Sequence, residues 1–398
     1  MINCTRLLSG KSGFYDEIRY VKGKPADTNR PIVVWNSTKS CNLRCVHCYF
    51  DAHAKKDKGE LTTEQAKAMI DDLAAFGAPV FLFSGGEPFM REDLFDLGKY
   101  ALSKGLRTVI STNGTLITRE AAKRIKDAGF SYVGISLDGL EEVNDKFRKE
   151  TGAFRRTLEG IKNCHSCGVR AGLRFTINKY NFRDIAGIFD LIEDEGIRRA
   201  CFYHLVYSGR GSAMVKEDLT KKESRDVLDL IFDRSIDLSR KNEDTEILTV
   251  DNHADGVYLY LRLKKEDKKR ADDALALLKI NGGNKSGIGI ADIDNLGFVH
   301  PDQFWRYYSL GNVRKRNFSQ IWSDESEPLL HNLRNRIPLL KGKCGRCHFQ
   351  DICAGNFRIR AEAFYGDVWQ EDPACYLSEE EILSVREDLH GLPECKNA

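Results

Sequence analysis

"WNSTKSCNLRCVHCYF", residues 35 to 50, places Cys41, Cys45 and Cys48 within eight residues and supplies no fourth cysteine nearby. A structural metal site normally takes four protein ligands, so three thiolates imply a centre with one position left open. The spacing CxxxCxxC suits a [4Fe–4S] cluster in which one iron has no protein ligand. Zinc completed by His47 is the alternative, although a histidine set between two of the cysteines makes that site strained.

The run before these cysteines, "PIVVWN" (31–36), reads as a strand, and similar runs follow: "PVFLFS" (79–84), "RTVIS" (107–111), "YVGISL" (132–137), "AGLRFTI" (171–177) and "ACFYHL" (200–205). Their nearly continuous apolar character predicts strands covered on both faces. The amphipathic segments between them, such as "TTEQAKAMIDDLAAFG", each end in Gly, as helix C-termini often do. This alternation predicts a parallel sheet and an α/β fold: a partial (βα)6 TIM-type barrel, short of eight units, followed by a small C-terminal cysteine-bearing domain. The expected divisions are an N-terminal extension (1–30), the barrel (31–210), a helical linker region (211–282) and the C-terminal domain (283–398). That last domain opens with "IGIADIDNLGFVH", read as a hairpin with Asn295 and Gly297 near its turn.

A chain of 398 residues has room for such an arrangement. Lys and Arg number 61 against 59 Asp and Glu, so net charge implies no nucleic-acid partner. No apolar run approaches the ~18 residues of a membrane span, and the N-terminus lacks a signal-peptide pattern, so a cytoplasmic protein is expected. The tight clustering of the 12 cysteines speaks against a disulfide framework. Besides the first three, Cys344, Cys347, Cys353 and Cys375 form CxxC-x5-C-x21-C, a complete four-thiolate set suited to iron–sulfur or zinc. Cys4, Cys164, Cys167, Cys201 and Cys395 are scattered. The Cys164–Cys167 pair, on an expected helix, reads as packed thiols rather than a redox couple.

Tyr49 follows the last cysteine of the first set, and "SGGEP" (84–88), "STNG" (111–114) and "SLDG" (136–139) follow the next three strands, with Asp145 and Arg148 soon after. One Gly-Gly after a strand is usually a turn, whereas four motifs in order are specific. On these residues the chain resembles the radical S-adenosylmethionine (radical SAM) superfamily. The resemblance implies that the open iron binds the amino and carboxylate groups of S-adenosyl-L-methionine, whose reductive cleavage yields a radical that takes hydrogen from a substrate. By position it implies Gly85, Gly86 and Glu87 at the cofactor's amino group, Asn113 at its ribose, and Ser136 with Arg148 at its carboxylate. Arg148 also reads as a surface residue of "NDKFRKE".

The C-terminal quartet resembles the SPASM-type auxiliary domain, which implies a second [4Fe–4S] cluster with no open iron. Asp302 and Phe357 stand where that family carries cysteines of a further cluster, so one auxiliary cluster is expected to be lost. The replacing stretch "VHPDQFWRYYSLGN" supplies His300, Gln303, Trp305, Arg306, Tyr307 and Tyr308. By composition it is a folded hairpin with aromatic core residues; it also suits a flat ligand bearing carboxylates, with His300 a candidate for approaching an iron. Across its length the chain resembles the tetrapyrrole-modifying branch of the superfamily. That implies an iron tetrapyrrole substrate, an electron donor such as ferredoxin or flavodoxin, and removal of two acetate side chains from 12,18-didecarboxysiroheme to give Fe-coproporphyrin III in siroheme-dependent haem biosynthesis. The alternatives are propionate removal in haem d1 biosynthesis, a peptide-modifying SPASM maturase and, outside catalysis, a haem- or cluster-binding sensor. The intact "SGGEP" and the three-cysteine set speak against the sensor.

Overall fold

Short, largely buried runs join into one sheet of eleven strands in the computed structural model, which describes residues 1–11, 30–241 and 244–384. Residues 12–29 of the expected extension and Cys395 lie outside the described residues. The strands are β1 (Ile2–Asn3), β2 (Ile32–Asn36), β3 (Phe81–Ser84), β4 (Thr108–Thr112), β5 (Tyr132–Ser136), β6 (Ala171–Ile177), β7 (Arg199–His204), β8 (Glu246–Val250), β9 (Ile290–Ile293), β10 (Phe298–His300) and β11 (Gly311–Asn312). Their order is β1-β8-β7-β6-β5-β4-β3-β2-β9-β10-β11. Every pairing from β8 across to β9 is parallel, which gives the α/β, barrel-type architecture expected.

The six expected strands are β2 to β7. Two more lengthen the parallel run. β8, "EILTV", lies in the stretch read as a helical linker, and all five of its residues are buried. β9 is the first arm of the expected hairpin; it pairs antiparallel with β10 and also runs parallel to β2, so the C-terminal domain continues the barrel sheet.

Helices pack against the outer faces of the strands. The helix Thr63–Phe76 starts in a capping box made by Thr62 and Gln65 and stops at Gly77, whose φ of 82° terminates it at no steric cost. Trp35, Phe81, Phe83, Phe175, Phe189 and Phe202 are among the largest fully buried side chains. The alternate residues of the strands, including Ser84, Ser111, Ser136 and Arg174, face inward onto a cavity. Among the described residues no helix is long and apolar enough to cross a membrane.

One buried guanidinium joins the C-terminal domain to the barrel mouth. Arg360 pairs with Asp372 at 2.9 Å and donates to the carbonyls of Leu205 (3.1 Å) and Asp251 (2.6 Å), just past β7 and β8. Arg360→Met would leave Asp372 buried without its cation. A loss of about 3–5 kcal/mol is expected in denaturant unfolding; a loss within experimental error would contradict the role assigned to this contact.

Candidate active site

The cysteine loop leaves β2 and rests on the glycines at the tip of β3. A Cβ on Gly85 would stand 2.6 Å from the carbonyl oxygen of Thr38, and one on Gly86 would overlap that of Ser40. With no side chains in the way, Gly86 N donates to Thr38 O at 2.7 Å and Glu87 N to Ser40 O at 2.8 Å. These glycines therefore clamp the loop by backbone approach, a use of "SGGEP" separate from any cofactor contact.

Each thiol of the loop has at least one N–H donor. Leu43 N lies 3.4 Å from Cys41 Sγ, Ala52 N 3.5 Å from Cys48 Sγ, and Arg148 Nη1 3.4 Å from Cys45 Sγ. Cys41 and Cys45 are buried, and Cys48 is half-buried. Burial pushes the Cys41 thiol up to about 12 and raises that of Cys45, an effect the Arg148 guanidinium opposes. Thiolates at these positions therefore need a positive centre, as metal binding with proton release provides. The donor set fits an iron–sulfur cluster, whose sulfur ligands accept such hydrogen bonds. Among the described residues no three His, Cys, Asp or Glu side chains converge as the ligands of a single ion would.

The remaining motif residues surround this loop. Glu87 is fully buried and accepts from Thr112 Oγ1 (2.7 Å), Asn113 N (2.8 Å) and Phe89 N (3.2 Å), while burial raises its carboxyl to about 7. Its carboxylate thus fixes the turn after β4. That turn presents Asn113, whose Nδ2 donates to Asn42 Oδ1 at 2.9 Å and faces Cys41 Sγ at 3.9 Å. Ser136 lines the cavity. Arg148 is buried rather than on the surface: it pairs with Asp138, whose other oxygen accepts Thr176 N at 2.7 Å. His47 stacks on Phe147 at 4.5 Å with Nε2 3.5 Å from Asp138, and burial lowers its ring to about 4.

The cavity at the barrel mouth is lined by residues from β2 to β7 together with Gln303 and Phe304 of the C-terminal domain. Tyr49 lines it and donates to Asn36 Oδ1 at 2.9 Å; Asn36 Nδ2 donates to Asp292 Oδ1 at 2.9 Å. Burial raises the Asp292 carboxyl to about 8. His204, also at the cavity, has Nε2 2.9 Å from Asp255 Oδ2, and Tyr376 donates to Asp255 Oδ1 at 2.8 Å. Burial disfavours the charged imidazole of His204, yet Asp255 prevails and its pKa is raised. This polar chain ends one residue beyond Cys375.

Of the candidates in "HPDQFWRYY", Gln303 lines the cavity, as does its neighbour Phe304. His300 does not: it is buried within its own domain, with Nδ1 2.7 Å from Tyr308 O and Nε2 3.6 Å from Asp294. Trp305 is buried in a small apolar cluster with Phe304 and Phe357. Arg306 sits 4.3 Å over the Phe50 ring and donates to Tyr49 O at 3.3 Å. Tyr307 is exposed with its hydroxyl on Glu362, and the Tyr308 hydroxyl meets Glu327. Asp302 accepts from Ser286 Oγ and from Phe304 N (2.8 Å), and Phe357 meets Phe304 edge-on at 5.5 Å. A turn-capping carboxylate and an aromatic contact thus fill the two non-cysteine positions.

Cys344, Cys347, Cys353 and Cys375 line one second cavity. Phe349 N donates to Cys347 Sγ at 3.4 Å and Arg358 Nη2 to Cys344 Sγ at 3.8 Å. Burial raises all four thiols, Cys347 to about 11 and Cys375 to about 12, with Lys343 opposing the shift at Cys375. Spacing alone gave this quartet; it did not give Arg174, His204, Asp255 or Arg360. The one available signal was a lone Arg inside the apolar strand "AGLRFTI".

Comparison with known proteins places residues 35–192 within the radical SAM superfamily. The chain is 55% identical over 394 residues to an Fe-coproporphyrin III synthase of Methanosarcina barkeri, covering 96% of this chain and 99% of that one. It is 41% identical to a pre-heme d1 synthase of Dinoroseobacter shibae, covering 90% and 88% of the two chains. In fold it is similar to Streptococcus suis SuiB bound to S-adenosylmethionine, with a TM-score of 0.70 at 17% identity over 88% of this chain and 78% of that one.

If the glycine clamp seats the cysteine loop, Gly86→Ala should disturb that loop alone. After anaerobic reconstitution, bound iron is expected to fall by about half, with the four-cysteine site retained. A full complement of iron in the variant would contradict the clamp.

Proposed function

The chain belongs to the radical SAM superfamily, and from that premise we propose that it removes two acetate side chains from didecarboxysiroheme, leaving methyl groups and giving Fe-coproporphyrin III on the siroheme-dependent route to haem. The observation that carries this reading is the likeness, over nearly the whole chain, to an Fe-coproporphyrin III synthase. The family brings S-adenosylmethionine and a [4Fe–4S] cluster, which together supply a radical able to take hydrogen from an unreactive carbon.

Cys41, Cys45 and Cys48 would hold the cluster with one iron open to the cofactor. The N–H donor beside each sulfur and the buried Arg148 support that assignment. Gly85, Gly86, Glu87, Asn113, Ser136 and Arg148 would surround the cofactor, with Glu87 acting mainly by fixing the turn that presents Asn113. A second [4Fe–4S] cluster on Cys344, Cys347, Cys353 and Cys375 is supported by the single cavity the four thiols line and by Arg358 beside Cys344. It would pass electrons between the barrel and a small donor protein such as ferredoxin or flavodoxin. Tyr49 and Phe304, in edge-on contact at 5.2 Å, form part of the aromatic cover that keeps water from the reacting centre.

The test is anaerobic incubation with didecarboxysiroheme, S-adenosylmethionine and a reductant, with mass spectrometry of the pigment and quantification of 5′-deoxyadenosine. Stepwise loss of both acetates is expected, with one cofactor consumed per acetate. Loss of propionates instead would move the chain to the reaction of its pre-heme d1 synthase relative, and cofactor cleavage with an unchanged pigment would overturn the substrate. Cys45→Ala is expected to abolish cofactor cleavage, whereas Cys353→Ala is expected to spare cleavage and stop product formation.

A further inference from the structure

Arg174 sits on β6 with its side chain turned into the barrel, where it lines the cavity with Ser111 and Tyr203. Its Nη1 donates to Ser111 Oγ at 2.8 Å, and its guanidinium lies 4.7 Å over the Tyr203 ring. Two buried arginines nearby have carboxylate partners: Arg148 has Asp138, and Arg360 has Asp372. Arg174 makes no ion pair with any described residue, although Asp251 faces the same cavity. Arg174 is half-buried, so its charge is only partly screened by water, and an anion entering the cavity would supply the missing partner.

The surroundings are shaped for this side chain. On the adjacent strand β5, Gly134 lacks the Cβ that would stand 2.8 Å from Arg174 Cδ, so a glycine makes room for it. One N–H is engaged by Ser111, which leaves donors of the planar fork for the two oxygens of a carboxylate. Ser136, paired in register with Arg174, and Thr176 add hydroxyls on the same wall.

We propose that Arg174 receives a side-chain carboxylate of the substrate inside the barrel and so sets which edge of the tetrapyrrole enters. This rests on the tetrapyrrole reading given above. The cofactor's own carboxylate has the same chemistry, and the measurements must separate the two.

Arg174→Gln and Arg174→Lys are compared with the wild-type holoprotein, after bound iron has shown that each variant holds its clusters. Binding of didecarboxysiroheme and of its neutral methyl ester is followed by visible absorption, and S-adenosylmethionine binding is measured separately. For the acid, the Gln variant is expected to bind about tenfold or more weakly, with Lys between Gln and wild type. For the ester, wild type and Gln variant are expected to bind alike, since the partner charge is gone. S-adenosylmethionine affinity should not change. Wild-type affinity of the Gln variant for the acid would overturn the proposal, and so would weakened S-adenosylmethionine binding with unchanged tetrapyrrole binding. A wild-type protein that binds S-adenosylmethionine but no tetrapyrrole would overturn both this proposal and the substrate reading.

Discussion

The approach of Gly85 and Gly86 to the backbone of Thr38 and Ser40 is the contact from which the rest of the candidate site is built. Parallel pairing of β2 and β3 brings Asn36 level with Ser84, so the two chains leave the sheet side by side. Only residues without a Cβ allow them to touch there. The loop carrying Cys41, Cys45 and Cys48 is thereby seated on the sheet. The next residue, Glu87, turns its carboxylate to the amide of Asn113 and brings the end of β4 against Cys41. Asp138 after β5 then holds Arg148 beside Cys45. Four successive strand ends are thus linked, each by a backbone or buried polar contact, into one shell around three sulfurs.

Charge is distributed around that shell by need. Arg148 is matched to a carboxylate and also reaches a sulfur, and in the C-terminal domain Arg358 stands beside Cys344. A buried cation near each sulfur set offsets part of the cost of keeping thiolates out of water. Arg360 is spent on joining two parts of the fold. Arg174, by contrast, has a hydroxyl and an aromatic face but no carboxylate partner among the described residues, and it faces the barrel cavity. The polar chain from His204 through Asp255 to Tyr376 connects that cavity with the neighbourhood of Cys375.

The elements that could be read from the sequence are those whose signal is local. Strands β2 to β7 announce themselves because coverage on both faces makes them apolar throughout, and the cysteine sets are spacing patterns within short windows. β8 is five residues between charged helices, and β9 reads as a hairpin arm because nothing in its own sequence discloses that its other edge pairs with β2. Partners distant in the chain were equally hidden: His204 and Asp255 are 51 residues apart, and Arg360 and Leu205 are 155 apart. Arg148 reads as a surface residue in its helical segment, and only the fold brings Asp138 and Cys45 to it. Composition alone read "HPDQFWRYY" as a hairpin with an aromatic core, and packing places His300 and Trp305 in that way while Gln303 reaches the cavity.

The proposed division of the sulfurs into one cluster open to S-adenosylmethionine and one fully ligated is tested most directly by electron paramagnetic resonance of the reduced, anaerobic protein. Spectra are recorded with and without the cofactor, for wild type and for variants lacking a cysteine of either set. Two cluster signals are expected, with the cofactor shifting only the one that depends on Cys41, Cys45 and Cys48. A cofactor that shifts neither signal, or one that shifts the signal belonging to Cys344, Cys347, Cys353 and Cys375, would contradict it.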